Sequence, residues 1–213
     1  MTRLLSKCLS LALVTVSFIT VGEKGAVAIE EASYTVIEQN GDFELRQYSP
    51  HIVAETTVEG AFDRVGSEGF RRLAGYINGE NRTKQSIAMT APVSQEAQSE
   101  KIAMTAPVGQ EKLGDRWRIT FIMPSKYALD TLPEPIDSRI ETKREPGRLM
   151  AAVRYSGTWS RKGYEENKER LLAWIEEQGF KQTGDPVWAR YDPPFMPWFM
   201  RRNEILIPVD RQN

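Results

Sequence analysis

The sequence predicts an α+β fold in which a curved antiparallel sheet is flanked by two α-helices. Apolar and polar residues alternate along four short segments, at 43–48, 51–58, 117–123 and 149–155. Such alternation is typical of strands with one buried face. Two longer segments, 61–77 and 163–178, carry apolar residues at helical spacing. The number of residues is that of one ordinary domain, which we expect over 29–213.

The amino terminus has the features of a signal peptide. Arg3 and Lys7 precede an uncharged run over 8–21, and Ala26-Val27-Ala28 has the small-x-small pattern of a cleavage site. The run is shorter than the ~20 apolar residues that span a bilayer. We therefore expect residues 1–28 to be removed from an exported protein, periplasmic or secreted, without a stable membrane anchor. An uncleaved anchor is the alternative.

Composition excludes several kinds of site. The chain has one cysteine, Cys8 in the predicted signal peptide, and one histidine, His51. After signal removal, a cysteine nucleophile and a zinc site built from several His or Cys ligands are both excluded. No G-x-S-x-G motif is present. The formal net charge of −1 gives no reason to expect nucleic acid as a partner.

The first predicted helix has an apolar stripe and ends at Asn78-Gly79, residues that tolerate the turn after a helix. Gly66 and Gly69 lie within this stripe and weaken the helix. They would allow a flat ligand or another backbone to approach closely. Close packing against the sheet is the simpler explanation.

Two repeats divide the chain. Residues 44–60 and 141–157 have equal length and a similar apolar pattern, and each continues into a predicted helix, which indicates two pseudo-symmetric halves. The sequence IAMTAPV occurs at 87–93 and again at 102–108. On strands, Met89 and Met104 would share the faces of the preceding isoleucines, and each proline would end its strand at an edge or bend.

Five sequence elements follow one another in the chain: FELRQYSPHIVAETTV (43–58), GYING (75–79), the doubled KIAMTAPV-like strand, WRITFIMPSKY (117–127) and YDPPFMPWFMRRNEILI (191–207). In these elements the chain resembles the SOUL haem-binding family, and the resemblance covers most of residues 29–213. The chain departs from the family pattern in its doubled strand, and it carries a single histidine.

The resemblance implies two pseudo-symmetric halves that form a distorted antiparallel β-barrel or curved sheet flanked by two α-helices. It also implies non-enzymatic binding of haem or a related tetrapyrrole in an apolar cleft, and a role as carrier, buffer or scavenger outside the cytoplasm. Fold membership does not carry function by itself. A small-molecule hydrolase with a cleft carboxylate and a tyrosine, or a protein-interaction module, are the alternatives.

Haem iron accepts His, Met, Tyr or Cys, and His51 is therefore the first residue to consider as an iron ligand. Strand alternation places His51 on the face of Val53 and Glu55, which favours a solvated or structural histidine. Met89 and Met104 could be axial ligands, although methionines on strands are usually core residues or apolar walls.

A tetrapyrrole site needs apolar walls and one or two cations at its rim. Phe62, Phe70 and Leu73 of the first helix could form such a wall, with core packing as the alternative. Arg72 lies nearest the edge of the apolar stripe and could bind a propionate in a bidentate manner, or belong to a solvated charged face. The segment PPFMPWFMRR (193–202) could be a lid, a packed crossover or a docking patch, and we expect it to be packed.

Overall fold

The computed structural model describes residues 29–84 and 98–211. The predicted signal peptide (1–28) and the first copy of the short repeat (87–93), with Met89, lie outside these ranges. The helices are α1 (Phe62–Ile77) and α2 (Arg161–Glu177), and a 3-10 turn spans Trp198–Met200. The strands are β1 (Glu30–Glu31), β2 (Tyr34–Asn40), β3 (Phe43–Tyr48), β4 (His51–Glu59), β5 (Asn81–Arg82), β6 (Thr105–Ala106), β7 (Val108–Leu113), β8 (Arg116–Ile122), β9 (Glu134–Pro135), β10 (Ile140–Glu145), β11 (Leu149–Tyr155), β12 (Phe180–Gln182), β13 (Val187–Arg190) and β14 (Asn203–Arg211).

Ten of the strands form one curled antiparallel sheet, a half-barrel. Its order is β10-β4-β8-β7-β13-β14-β11-β3-β2, and β12 pairs with β14 beside this path. Every neighbouring pair in the sheet is antiparallel. The predicted fold class, a curved antiparallel sheet with two helices, is confirmed.

The sheet is pseudo-symmetric about the boundary between β7 and β13. One side reads β10-β4-β8-β7 and the other reads β3-β11-β14-β13. In the repeat alignment β3 corresponds to β10 and β4 to β11. Their registers agree, because Thr56 pairs with Ile140 as its counterpart Val153 pairs with Phe43. The two halves expected from the faint repeat are therefore present, and each contributes one strand to the other half.

Both helices pack on one face of the sheet, α1 against β4 and β8 and α2 against β11, β12 and β14. The main core lies between the helices and the sheet and includes Leu73, Phe121 and Ile205. Residues of opposite parity on the same strands, such as Met150 and Leu206, form a smaller cluster on the other face. The sheet thus presents one helix-covered face and one concave face. Within the described ranges, no helix is long and apolar enough to cross a membrane.

The glycines of α1 allow the helix to lie directly on the sheet. A Cβ atom at Gly69 would lie 2.3 Å from Cγ1 and 2.6 Å from Cβ of Ile119. At Gly66 it would lie 2.6 Å from Oε1 of Gln110 and 2.8 Å from Nη2 of Arg190. Close packing therefore accounts for Gly69, whereas Gly66 faces polar groups.

We expect Gly69→Ala to destabilise the protein. Alanine favours the helix by about 1 kcal/mol, but its Cβ would overlap the branched part of Ile119, and overpacking costs about 1–3 kcal/mol. Urea unfolding should show a net loss of stability. Gly75→Ala in the same helix is the matched control, because the atoms it would meet belong to the exposed carboxylate of Glu80. Equal or greater stability for Gly69→Ala would contradict the packing described here.

The second copy of the short repeat is only partly a strand. Ile102 lies in the core, but residues 101–104 are not in a strand, and Met104 is 37% exposed. The expectation that Met104 shares the face of Ile102 is therefore wrong. The expected bend is present, since Pro107 follows a cis peptide bond and separates β6 from β7.

Candidate functional site

A cavity of about 750 Å³ opens between α1, residues 104–108 and the loop after β13. This volume lies within the range of about 300–1,000 Å³ that is usual for small-molecule sites. Most of its lining side chains are apolar. They include Ile29, Phe70, Ala74, Met104, Val108, Trp159 and Phe195.

The α1 wall of the cavity follows from helical spacing. Gly66, Phe70 and Ala74 are four residues apart and line the cavity together. Phe70 is 41% exposed and contacts the core ring of Phe121 edge-on, with a centroid distance of 5.3 Å. This wall is therefore an open aromatic surface with small residues on either side.

Two cations line the cavity, the exposed Arg71 and the half-buried Arg190. The guanidinium carbon of Arg190 lies 5.0 Å from the ring centroid of Trp188 and 5.3 Å from that of Trp159. The Nε atom is buried and has no hydrogen-bond partner in the part of the chain that the structure describes. Burial lowers the pKa of Arg190 to about 10, so the side chain is still protonated at neutral pH.

The loop from Pro193 to Met200 borders the cavity and is held by its own backbone. Met196 N–H donates to Pro193 O at 3.0 Å, and Met200 N–H donates to Pro197 O at 2.9 Å. Its apolar side chains nevertheless point outward, since Phe195 is 84% exposed and the three residues of the 3-10 turn are each about 60% exposed. The expectation that this segment is packed is wrong, because the backbone bonds shape the loop without burying its side chains.

The concave face of the sheet carries a second, much smaller groove of about 90 Å³. His51 lines it, and the ring Nδ1 lies 3.0 Å from Ser49 O. Arg118, also in this groove, donates to Glu55 at 3.1 Å, Glu145 at 2.9 Å and Glu111 at 2.8 Å. The groove is too small for a tetrapyrrole and its central cation is fully paired.

Besides the cluster around Arg118, a second ion cluster is buried on the sheet, where Arg46 of β3 reaches across β11 to Glu204 of β14. Arg46 donates to Glu204 with N···O distances of 2.6 and 3.2 Å. Tyr191 OH and Arg202 Nε donate to the same carboxylate at 2.8 and 2.9 Å. Burial alone would raise the pKa of Glu204, but hydrogen bonds and charge from Arg46 and Arg202 lower it. In the alignment of the halves Glu204 corresponds to Arg118, so the two ion clusters have centres of opposite charge.

The structure brings two of the predicted site residues to the large cavity, Phe70 and Met104. Phe62 and Leu73 are buried in the core. Arg72 donates to Thr57 O at 3.1 Å and to Thr56 Oγ1 at 3.3 Å, and does not line the cavity. His51 lies on the opposite face of the sheet. Within the described ranges, no group of three or more His, Cys, Asp or Glu residues is arranged to hold a metal ion.

Sequence reasoning did not identify Arg190 or Trp159 as cavity residues. The alternation along β13 could have identified Arg190, because it follows the buried Trp188 by two residues and so shares its face. Trp159 lies in the turn before α2, where no periodic pattern assigns a face.

The fold and the cavity define an α+β half-barrel with an apolar pocket between a helix and a loop. The model of the SOUL heme-binding protein family matches residues 29–208. The chain therefore belongs to the SOUL haem-binding family. Human "Heme-binding protein 2" is 25% identical over 196 residues, which cover 85% of this chain and 91% of the human protein.

Solved structures agree with the fold alone. The EcmrR C-terminal domain has a TM-score of 0.53 at 12% identity, covering 84% of this chain and 99% of that domain. A hydrolase from Listeria innocua has the same TM-score and identity, covering 82% of this chain and 94% of its own. At these identities the similarity indicates a shared half-barrel and does not extend to activity.

Proposed function

We propose that the protein binds haem or a related tetrapyrrole in the 750 Å³ cavity and acts as a carrier, buffer or scavenger outside the cytoplasm. The observation that carries the proposal is the open apolar wall of α1, where Phe70 and Ala74 face the cavity. Family membership supports the ligand class. The predicted signal peptide supports the location.

Contact in this site would be mainly apolar. His51, the one histidine of the chain, lies in the other groove. Among the lining residues, the side chains that can ligate iron include Met104, which is half-exposed, and Tyr191, whose hydroxyl already donates to Glu204. We therefore propose weak or absent axial ligation.

The proposal includes the absence of catalysis. A glutamate and a tyrosine do converge, as the hydrolase alternative requires, at Glu204 and Tyr191. Tyr127 also donates to Glu100 at 2.5 Å, but neither of these two residues lines the cavity. Glu204, however, is fully buried and paired with two arginines. Burial raises the pKa of Tyr191 well above its usual value. Neither group is placed to exchange protons with a substrate near neutral pH.

The direct test fills the cavity. Ala74→Trp should weaken haemin binding by about tenfold or more, because the indole would occupy space in the cavity that the porphyrin ring needs. The measurement is a Soret titration of residues 29–213. Arg64→Trp is the matched control, since Arg64 is an exposed residue of the same helix that does not line the cavity.

A second control separates the two grooves. His51→Ala should leave both the haemin affinity and the Soret maximum unchanged, and iron-free protoporphyrin IX should bind with comparable affinity. A Soret shift in His51→Ala would place the ligand on the concave face. Absence of saturable binding by the unsubstituted protein would refute the proposal.

A further inference from the structure

Arg190 is a cation that has no counter-ion among residues 29–84 and 98–211. None of the ion pairs or side-chain hydrogen bonds among the described residues includes its guanidinium. On the far side of Gly66 lies the neutral side chain of Gln110, whose Oε1 has no hydrogen-bond partner among the described residues. The Arg190 side chain is half-buried and lines the cavity. Its positive charge is therefore directed at the cavity and is not compensated.

An uncompensated charge in an apolar site is costly, and proteins normally pair such groups. The other charged side chains at the cavity are either hydrogen-bonded to the backbone or open to solvent, and Arg71, which also lines the cavity, is exposed. Asp192 Oδ2 accepts the backbone N–H of Arg202 at 2.5 Å. Arg201, beside the mouth, donates to Met196 O at 2.8 Å and to Pro194 O at 2.6 Å. Arg190 differs from these residues, and this difference indicates a partner that comes from outside the chain.

The guanidinium is also held in position. The guanidinium contacts the rings of both Trp188 and Trp159, and these cation–π contacts partly offset the loss of hydration. Trp159 is fixed in turn, because its Nε1 donates to Asn203 Oδ1 at 3.0 Å and Arg201 lies 4.7 Å from its ring centroid. Such a preorganised fork loses little entropy when it binds a planar anion.

We propose that Arg190 is the anion receptor of the cavity, forming paired N–H···O bonds with one carboxylate of the ligand. The cavity then selects apolar ligands that carry a carboxylate and discriminates against neutral or esterified analogues. This inference rests on the proposed function, which supplies the tetrapyrrole ligand. It adds that this ligand must carry a carboxylate.

The test compares protoporphyrin IX with its dimethyl ester, by fluorescence titration in the same mild detergent. The unsubstituted protein should bind the diacid more tightly than the ester by about 10- to 100-fold, the range of a buried charged hydrogen-bond pair. Arg190→Gln should remove this preference by weakening the diacid alone. Arg190→Lys, which keeps the charge but not the fork, should retain part of it.

Arg64→Gln is the matched control, because it removes an exposed arginine of α1 that does not line the cavity, and it should keep the full preference. Thermal melts establish whether each variant is folded. If Arg190→Gln is not folded, the loss of preference is measured with Arg190→Lys. An unchanged preference in Arg190→Gln and Arg190→Lys would overturn the inference and leave the proposed function standing.

A second probe, 8-anilinonaphthalene-1-sulfonate, separates the inference from the proposed function. If no porphyrin binds, the proposed function fails. Loss of sulfonate binding in Arg190→Gln would then still support an anion receptor, whereas sulfonate binding that is absent or independent of Arg190 would overturn that as well.

Discussion

Arg46→Met is expected to lower the free energy of unfolding by about 3–5 kcal/mol at neutral pH, the usual cost of removing one partner of a buried ion pair. Arg46 and Glu204 are almost completely inaccessible to solvent. Loss of Arg46 leaves Glu204 with Arg202 and Tyr191, and removes the bonds from Arg46 to Glu44 and Tyr48. Urea unfolding of the two proteins measures the difference.

The double variant Arg46→Met/Glu204→Leu is the control. Because it removes both charges, it should recover much of the loss. If the second substitution instead lowered the free energy of unfolding further, as an independent change would, Arg46 and Glu204 would not act as a pair.

The same pair predicts a dependence on pH. A carboxyl group whose pKa is lower in the folded than in the unfolded state stabilises the fold above its unfolded pKa, and this contribution is lost as pH falls through its folded pKa. Glu204 is such a group, with an ordinary value of 4.5. The stability difference between Arg46→Met and the unsubstituted protein should therefore be constant well above this value and shrink below it.

Phe62→Ala should cost about 3–5 kcal/mol of stability, as is usual for truncating a buried aromatic residue. Phe62 stacks on Trp188 at a centroid distance of 5.1 Å and contacts Tyr164 at 5.2 Å and Trp117 at 5.4 Å. Since these contacts lie in the core, haemin affinity measured well below the melting temperature should change little.

Phe70→Ala should give the opposite result, because Phe70 is half-exposed at the cavity. We expect a small loss of stability and clearly weaker haemin binding. If Phe62→Ala instead weakened haemin binding without loss of stability, Phe62 would belong to the ligand wall, as the apolar pattern alone allowed.

These two phenylalanines show what helical spacing can predict. Phe62 and Phe70 lie on the same apolar stripe of α1. Helical spacing correctly predicted this shared stripe. Periodicity does not say what a stripe contacts, since sheet, loop and ligand are equally apolar. The separation of a core end from a cavity end depends on the loop after β13, which has no periodic pattern.

The positions of Arg72 and Arg190 show the same limit of prediction from sequence spacing. Arg72 was expected at the rim because it lies at the edge of the stripe, but its guanidinium reaches carbonyl and hydroxyl groups of β4. Arg190 is distant in sequence from α1, and only the fold brings its guanidinium next to Gly66 of that helix. By contrast, the faint repeat correctly predicted both halves, since equal spacing of strand and helix patterns depends only on local sequence.

The exchange of β3 and β10 between the halves interlocks them. Neither half contains all the strands of its own side of the sheet, so neither can complete its hydrogen bonding without the other. Separate melting of the two halves would require both exchanged strands to detach first, which exposes backbone groups along β4 and β11. The molecule should therefore unfold in one cooperative step, so that damage to either ion cluster weakens the whole sheet and not only its own side.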